Sequence, residues 1–279
     1  MAALNMTATK ISNIADAYHK NGVIHLPGVL GNEALELAYA AYQWSLNNPG
    51  PGAAVLPNAE AGSFYNDLAN PNSFGPYDTV VRHPDLISVV QRLFNGDNAW
   101  FMYEQVFKKS GGETRRTPWH QDTPYLPVEG QDLTVIWLSF ASVAGDSALE
   151  FVAGSHQGTL FDGSRFDPAD DTAPLYNHPD YPRLPDIERN RAAHNIVSWA
   201  TQPGDVIAFH PSTLHGGGAT ATGTQRETLS LRFFGDDAKV AERPGAKVAN
   251  PQRNTHPLNK IRANLPGSSF RHPDFPKIL

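Results

Sequence analysis

The stretch TPWHQDTPY, Thr117 to Tyr125, sets an imidazole and a carboxylate two positions apart, His120 and Asp122, between Pro118 and Pro124. In an extended strand, residues i and i+2 point to one face. The two side chains would then project together, with Cα atoms roughly 6–7 Å apart. The flanking prolines limit backbone freedom, which suits a pair of metal ligands. A lone pair of this kind is more often structural than functional, so the rest of the chain decides. In PGDVIAFHPSTLHGGG, a turn at Pro203-Gly204-Asp205 feeds an apolar strand that leads to His210 and His215. The glycines after His215 allow close backbone approach. In RETLSLRFFGDD, Arg226, Thr228, Ser230 and Arg232 share one strand face, and Leu229, Leu231 and Phe233 the other. Two arginines on one face call for acids or an anionic ligand, because an unpartnered buried guanidinium costs several kcal/mol.

Two histidines and one carboxylate, with the remaining positions open, form the facial triad of non-haem Fe(II) oxygenases. Three ligands cover one face of an octahedron and leave room for a bidentate co-substrate and dioxygen. Arg226 lies eleven residues after His215 (226 − 215). A strand-mounted guanidinium suits the distal carboxylate of such a co-substrate through a bidentate pair. His210 is the weaker candidate ligand, because a turn separates it from His215. His156 reads as a hydrogen-bonded turn residue, His178 and His194 as solvated, Trp119 as a core aromatic and Asp205 as a turn residue.

Taken together, WHQD, ALEFVAGSH, PGDVIAFHPSTLHGGG and Arg226 at its offset resemble the phytanoyl-CoA dioxygenase family of Fe(II)/2-oxoglutarate-dependent oxygenases. The matching motifs run roughly from Met102 to Asp236. The resemblance implies a double-stranded β-helix, or jelly-roll, core. It implies Fe(II) on His120, Asp122 and His215, with the C5 carboxylate of 2-oxoglutarate on Arg226 and dioxygen as oxidant. Gln121, Trp137, Met102 and a lysine at or near Lys108 match positions close to the co-substrate. Where some members carry a serine two residues after the distal histidine, this chain has Gly217, so Ser230 or Thr134 is expected to assist Arg226. The implied reaction oxidises, most simply hydroxylates, an unactivated C–H bond and releases succinate and carbon dioxide. A carboxylate at position 122 argues against halogenation, which needs that ligand position empty.

The family permits an acyl-CoA substrate, but no basic cluster for CoA phosphates stands out. The expectation is a small polar metabolite, met by Tyr103, Gln105, Tyr125 and Arg232. Two rival classes remain. A cupin-like metal protein without redox chemistry would bring three histidines and a glutamate. A non-catalytic jelly-roll binding module would not need Arg226 beside a triad.

The elements that must position these residues read as mainly β with flanking helices. The chain has 279 residues, 40% hydrophobic and 18% charged, with 23 Gly and 23 Pro, which favours turns. A net charge of −6 without a basic block argues against nucleic-acid or anionic-membrane partners. No cysteine is present, which excludes disulfides and thiolate metal sites. No signal-like start or run of about 20 apolar residues appears, so a cytoplasmic location is the default. One unit over residues 1–279 is expected. It comprises a helical N-terminal part (1–97), a jelly-roll core (about 98–236) with a lid insert (157–197), and an irregular tail (237–279). Three helices are expected, in ISNIADAYHKNG, in NEALELAYAAYQWSLNN with Asn32 as N-cap, and in HPDLISVVQRLFNG. VIHLPGVL reads as a short strand, and the Pro/Gly/Ala-rich residues 48–63 read as a mobile loop and second candidate lid. AWFMYEQVF, LTVIWLSFASV, ALEFV, DVIAFH and RETLSLRFF read as strands.

Overall fold

The computed structural model describes residues 8–56, 62–111, 116–220, 224–244 and 255–279. Four helices precede the main run of strands: α1 (Ala8–Asn21), α2 (Asn32–Asn47), α3 (Phe74–Val81) and α4 (Pro84–Leu93). Helix α1 ends at Gly22, where φ is +69° and a Cβ would lie 2.3 Å from the His156 ring, so only glycine fits. Helix α2 buries Ala34, Ala38, Ala41, Tyr42 and Ser45, a stripe at helical spacing. Its N-cap is Gly31 rather than Asn32, and the Gly31 amide is satisfied by Asp85 at 2.8 Å. Helix α4 starts on Pro84, with the His83 ring accepting from the Asp85 amide, and buries Leu86, Val89, Val90 and Leu93. Helix α3 was not expected from the sequence, because it is short and carries a proline at Pro76.

The strands are β1 (Val23–Leu26), β2 (Ala54–Leu56), β3 (Gly62–Leu68), β4 (Ala99–Gly111), β5 (Thr117–His120), β6 (Val128–Glu129), β7 (Leu133–Ser139), β8 (Leu149–Val152), β9 (Ile196–Ser198), β10 (Val206–Phe209), β11 (His215–Gly217), β12 (Arg226–Gly235) and β13 (Lys239–Val240). A seven-stranded sheet runs β1-β10-β7-β12-β4-β3-β2, and a four-stranded sheet runs β5-β11-β8-β9. Every pairing is antiparallel, as in a jelly roll.

One face of the large sheet, with Phe101, Val106, Ile136, Leu138, Leu229, Leu231 and Phe233, joins the helices in the main core. The other face sends Val135, Trp137, Ile207 and Phe209 into a second cluster with Phe151 of the small sheet. The central strands β7 and β12 are covered on both faces, which is why they read as near-continuous buried runs.

Residues 48–63 do not read as one open loop, because β2 and β3 pair at the edge of the large sheet; residues 57–61 lie outside the described part. In the N-terminal part, the strand expected in VIHLPGVL is β1, and β2 and β3 join it in the large sheet. The insert is built of turns and tied down by buried polar groups. The Asp162 carboxylate accepts from the Tyr176 and His178 amides at 3.0 and 3.2 Å, and Trp119 donates to Glu188 at 2.6 Å. The tail folds back on β4, with the Ile278 amide on the Ala99 carbonyl at 2.8 Å, and carries a short helix, α5 (Pro257–Lys260). No helix among the described residues is long and apolar enough to cross a membrane.

Candidate active site

His120 closes β5 and His215 opens β11, and the antiparallel register sets them directly opposite each other. Their ring centroids are 4.2 Å apart. Each ring hydrogen-bonds through Nδ1 to a carbonyl two residues upstream, His120 to Pro118 and His215 to Thr213, both at 2.9 Å. With Nδ1 carrying the proton in those contacts, each Nε2 keeps its lone pair. Burial, then the neighbouring His120, pushes His215 down to about 4, so it is neutral at physiological pH. Gly216 follows with no room for a side chain, since a Cβ there would sit 2.9 Å from the Thr117 carbonyl.

Asp122 reaches the pair by a different route from strand alternation. The strand stops at His120, and Asp122 adopts helical angles (φ −78°, ψ −31°) at the start of a 3-10 turn over Thr123–Tyr125. The amides of Asp122 and Thr123 both donate to the Pro211 carbonyl, at 2.7 and 3.1 Å, which fixes this turn beside the strand carrying His215. Asp122 Oδ1 lies 3.6 Å from His120 Nε2 and 3.9 Å from His215 Nε2. One donor atom from each of the three buried residues lies within 4.8 Å of the others. Burial alone would raise the Asp122 carboxyl; Arg232 and the two histidines outweigh it and hold it well below the usual carboxylate range. Two imidazoles that turn Nε2 toward an ionised carboxylate suit Fe(II).

Arg226 opens β12, next to Lys109 in register on β4. Its guanidinium donates to the carbonyls of Ser147 and Gly218, at 2.6 and 2.7 Å, and Lys109 donates to the same Gly218 carbonyl at 2.8 Å. Both cations are buried, and neither has an acidic partner among the described residues. Burial pushes Arg226 down to about 10; burial and then the Arg226 charge push Lys109 down to about 7. Gly218 has φ +76°, and a Cβ there would meet Arg226 Nη2 at 2.6 Å, so glycine makes room for the guanidinium. Among the described residues no acid faces this pair, an arrangement suited to an anion that would favour the charged form of Lys109.

The remaining expected residues divide. Trp137 and Ser230 are register partners on the inner face of the sheet. Lys108 is a correction. It lies on the outer face, 3.1 Å from Glu227, and strand alternation makes its neighbour Lys109 the lysine beside Arg226. Gln121 is a second correction, because its amide is consumed by backbone: it donates to Thr159 and Ser212 carbonyls and accepts from the Phe161 amide. It ties the insert to the loop before His215, and both of its N–H donors are used there. Met102 sits at the bulge of β4, in the apolar cluster that includes Leu133, Phe234 and Phe270. Thr134 shares a face with Phe233, turned toward the helices and away from Arg226.

Of the expected substrate contacts, Tyr103, Gln105 and Arg232 do not line an open surface. Arg232 is buried with its Nη2 on Asp122, its guanidinium 4.7 Å above the Tyr103 ring, and Gln105 is bonded to it. Tyr125 gives its hydroxyl to the Ser164 carbonyl at 3.0 Å and turns its ring toward Phe166. Phe166 was not anticipated. This insert residue is 41% exposed, has φ +55°, and packs edge-on to His120 at 5.1 Å. Only a lone aromatic in a loop signals it in the sequence. His210 is bonded to the Gly130 carbonyl and the Ser212 amide, which leaves it no free ring nitrogen for a metal. His156 binds the His19 carbonyl.

Comparison with known proteins agrees with this geometry. The profile of the family Phytanoyl-CoA dioxygenase (PhyH) matches residues 18–228, well over half of the chain, and the chain belongs to that family. The peroxisomal phytanoyl-CoA dioxygenase of Homo sapiens is 26% identical over 186 residues, covering 61% of this chain and 49% of the human protein. A probable phytanoyl-CoA dioxygenase of Caenorhabditis elegans is 27% identical, covering 56% of this chain and 50% of its own length. The matched region thus spans about half the length of these curated relatives. Among solved structures, the non-heme alpha ketoglutarate dependent epimerase SnoN superposes with a TM-score of 0.70 at 17% identity, over 98% of this chain and all of SnoN. EctD from S. alaskensis with 2-oxoglutarate and 5-hydroxyectoine superposes with a TM-score of 0.61 at 17% identity, over 90% of this chain and 84% of EctD. At these identities the structural likeness establishes the fold.

Proposed function

We propose that this member of the family is an Fe(II)- and 2-oxoglutarate-dependent oxygenase that hydroxylates an unactivated C–H bond of a small polar metabolite. One observation carries the reading. A two-histidine, one-aspartate donor set and an acid-free pair of buried cations are joined through a single short segment, His215 to Gly218.

His120, Asp122 and His215 would hold the iron, with both imidazoles presented through Nε2. Arg226 and Lys109 would neutralise the distal carboxylate of 2-oxoglutarate and so fix which end of the co-substrate faces the metal. Trp137 and Phe209 wall the inner face, and burial there excludes water and strengthens the charge pairing. When bound, iron supplies the oxidising chemistry, coupling co-substrate decarboxylation to C–H cleavage with succinate and carbon dioxide as by-products. The side chains bind, orient and exclude water. Phe166 and Tyr125, from the insert and the 3-10 turn, offer an aromatic wall where a substrate would approach His120.

The small-metabolite reading is preferred to an acyl-CoA because, among the described residues, arginines in and beside the insert are paired with acids, Arg116 and Arg191 with Glu150, Arg183 with Asp170 and Arg189 with Asp186, rather than left for CoA phosphates. The test is a succinate-release screen with Fe(II), ascorbate and air across small polar molecules and acyl-CoA thioesters. Stimulation by a small metabolite supports the proposal. Stimulation by acyl-CoA alone reassigns the substrate, and no 2-oxoglutarate turnover under any condition removes the oxygenase reading.

A further inference from the structure

Asp122 differs from the two histidines in one respect that matters for a metal: a carboxylate can ligate through one oxygen or two, and the choice alters how many coordination positions stay open. The protein addresses each oxygen separately. Oδ1 faces the two histidine Nε2 atoms at 3.6 and 3.9 Å. Oδ2 accepts from Arg232 Nη2 at 2.9 Å. The same Nη2 donates to Gln105 Oε1 at 2.6 Å, and Gln105 Nε2 donates to Asn66 Oδ1 at 2.8 Å. The guanidinium lies over the Tyr103 ring, and its Nε and Nη1 are buried without a hydrogen-bond partner. A guanidinium so placed gives up hydrogen bonds at two of its three nitrogens, a cost that its contact with Asp122 has to offset.

We propose that Arg232, held by Gln105 and Asn66, is a positioning residue that keeps Asp122 a one-oxygen metal ligand. The relay crosses three adjacent strands, with Asn66 on β3, Gln105 on β4 and Arg232 on β12, so the sheet itself sets the direction of the carboxylate. By occupying Oδ2 it leaves Oδ1 for the metal and preserves the open positions that a bidentate co-substrate and dioxygen require. A lysine would not serve equally: an ammonium could bond Asp122 and Gln105 from its one nitrogen, but it lacks the planar face that the guanidinium lays over the Tyr103 ring. The inference rests on the metal reading of His120, Asp122 and His215, and the experiment separates the two.

The test uses Co(II) in place of Fe(II) on the full chain, without substrate or turnover. The readouts are the Co(II) dissociation constant, the intensity of the Co(II) d–d band as a report on coordination number, and the melting temperature of the metal-free protein. Wild type binding Co(II) at one site upholds the metal reading; no binding overturns both ideas. With wild type bound, R232M is expected to bind Co(II) about 10- to 100-fold more weakly, the range for loss of a partner that orients a metal ligand, and with an altered band. R232K, which keeps the charge, is expected to recover less than half of that loss on a logarithmic scale. Q105L, which keeps the arginine but frees its far side, is expected to shift the band and weaken binding about threefold or more. A purely structural role would lower the melting temperature yet leave affinity and band alone. R232M binding within twofold of wild type with an unchanged band overturns the proposal, as does full recovery in R232K. If R232M does not fold, R232K and Q105L decide by the same criteria.

Discussion

Strand β12 carries the same residue at its start and again beside its bulge, with different consequences. Arg226 and Arg232 leave one face of one strand and are nearly equally buried, at 8% and 5% exposure. Burial pushes Arg226 down to about 10, and nothing in its surroundings opposes it. For Arg232 burial works in the same direction, but Tyr103 and Asp122 outweigh it and the guanidinium is raised above its ordinary value. Arg232 thus has its counter-charge within the chain, whereas among the described residues Arg226 is bonded only to carbonyls. A buried cation whose partner is a protein carboxylate organises structure; one left without an acid points to a partner that arrives from solution.

The contrast is most exposed to test at Arg226. Arg226→Leu should weaken 2-oxoglutarate binding about 100-fold or more, the scale of losing a buried hydrogen-bonded charge partner. Metal affinity should stay within about twofold, and the ligand-free protein should lose little stability, because no acid is stranded. Anaerobic titration of the Fe(II)–2-oxoglutarate charge-transfer band and thermal melts read both. Arg232→Met should behave oppositely. It strands the Asp122 carboxylate, which should cost the ligand-free protein about 3–5 kcal/mol. Equal stability losses in the two variants would erase the distinction.

Gly218→Ala probes the space around Arg226. A Cβ placed 2.6 Å from Nη2, at φ +76°, must displace the guanidinium. Co-substrate affinity should fall about 10-fold or more, while an alanine in left-handed backbone should cost about 1–2 kcal/mol of stability.

Lys109 adds a pH signature to the Arg226 end. Its ordinary value is 10.5 and the folded value about 7, so between them the unfolded chain binds more protons. Stability of the ligand-free protein should therefore rise with pH from about 7 to about 10.5. An anion favours charged Lys109, so 2-oxoglutarate affinity should fall as pH rises above about 7, with proton uptake on binding detectable by calorimetry in two buffers. Lys109→Met should abolish that pH dependence and weaken binding about 10-fold. The smallest effect belongs to Lys108→Met, which removes a half-buried pair with Glu227 on the far face. It should change co-substrate affinity less than twofold and stability by about 1 kcal/mol or less.

Much of this was legible from residue types and strand parity. Period 2 in RETLSLRFF assigns Arg226 and Arg232 to one face, and the sheet places them so. The same rule misleads at HQD, because the strand ends at His120 and Asp122 arrives through a turn held by Pro211. Parity also depends on knowing where counting starts. An error of one position separates Lys108, which faces Glu227, from Lys109, which faces Arg226. Gln121, flanked by two candidate ligands, looked like part of the chemistry, yet its amide is spent on three backbone groups that no local pattern reveals. Phe166 escaped notice because a loop aromatic has no periodicity to mark its direction.

Side-chain chemistry and strand alternation were sufficient to state a mainly β core, a two-histidine, one-carboxylate donor set and the need for an acid or anion near Arg226, whereas the jelly-roll class and the assignment of iron to His120, Asp122 and His215 came with the resemblance to the phytanoyl-CoA dioxygenase family. The division of labour between Arg226 and Arg232 was not accessible that way. It depends on which groups lie across the sandwich from each guanidinium, and those groups come from Asn66, Gln105, Asp122, Ser147 and Gly218, brought together only when the sheets pair.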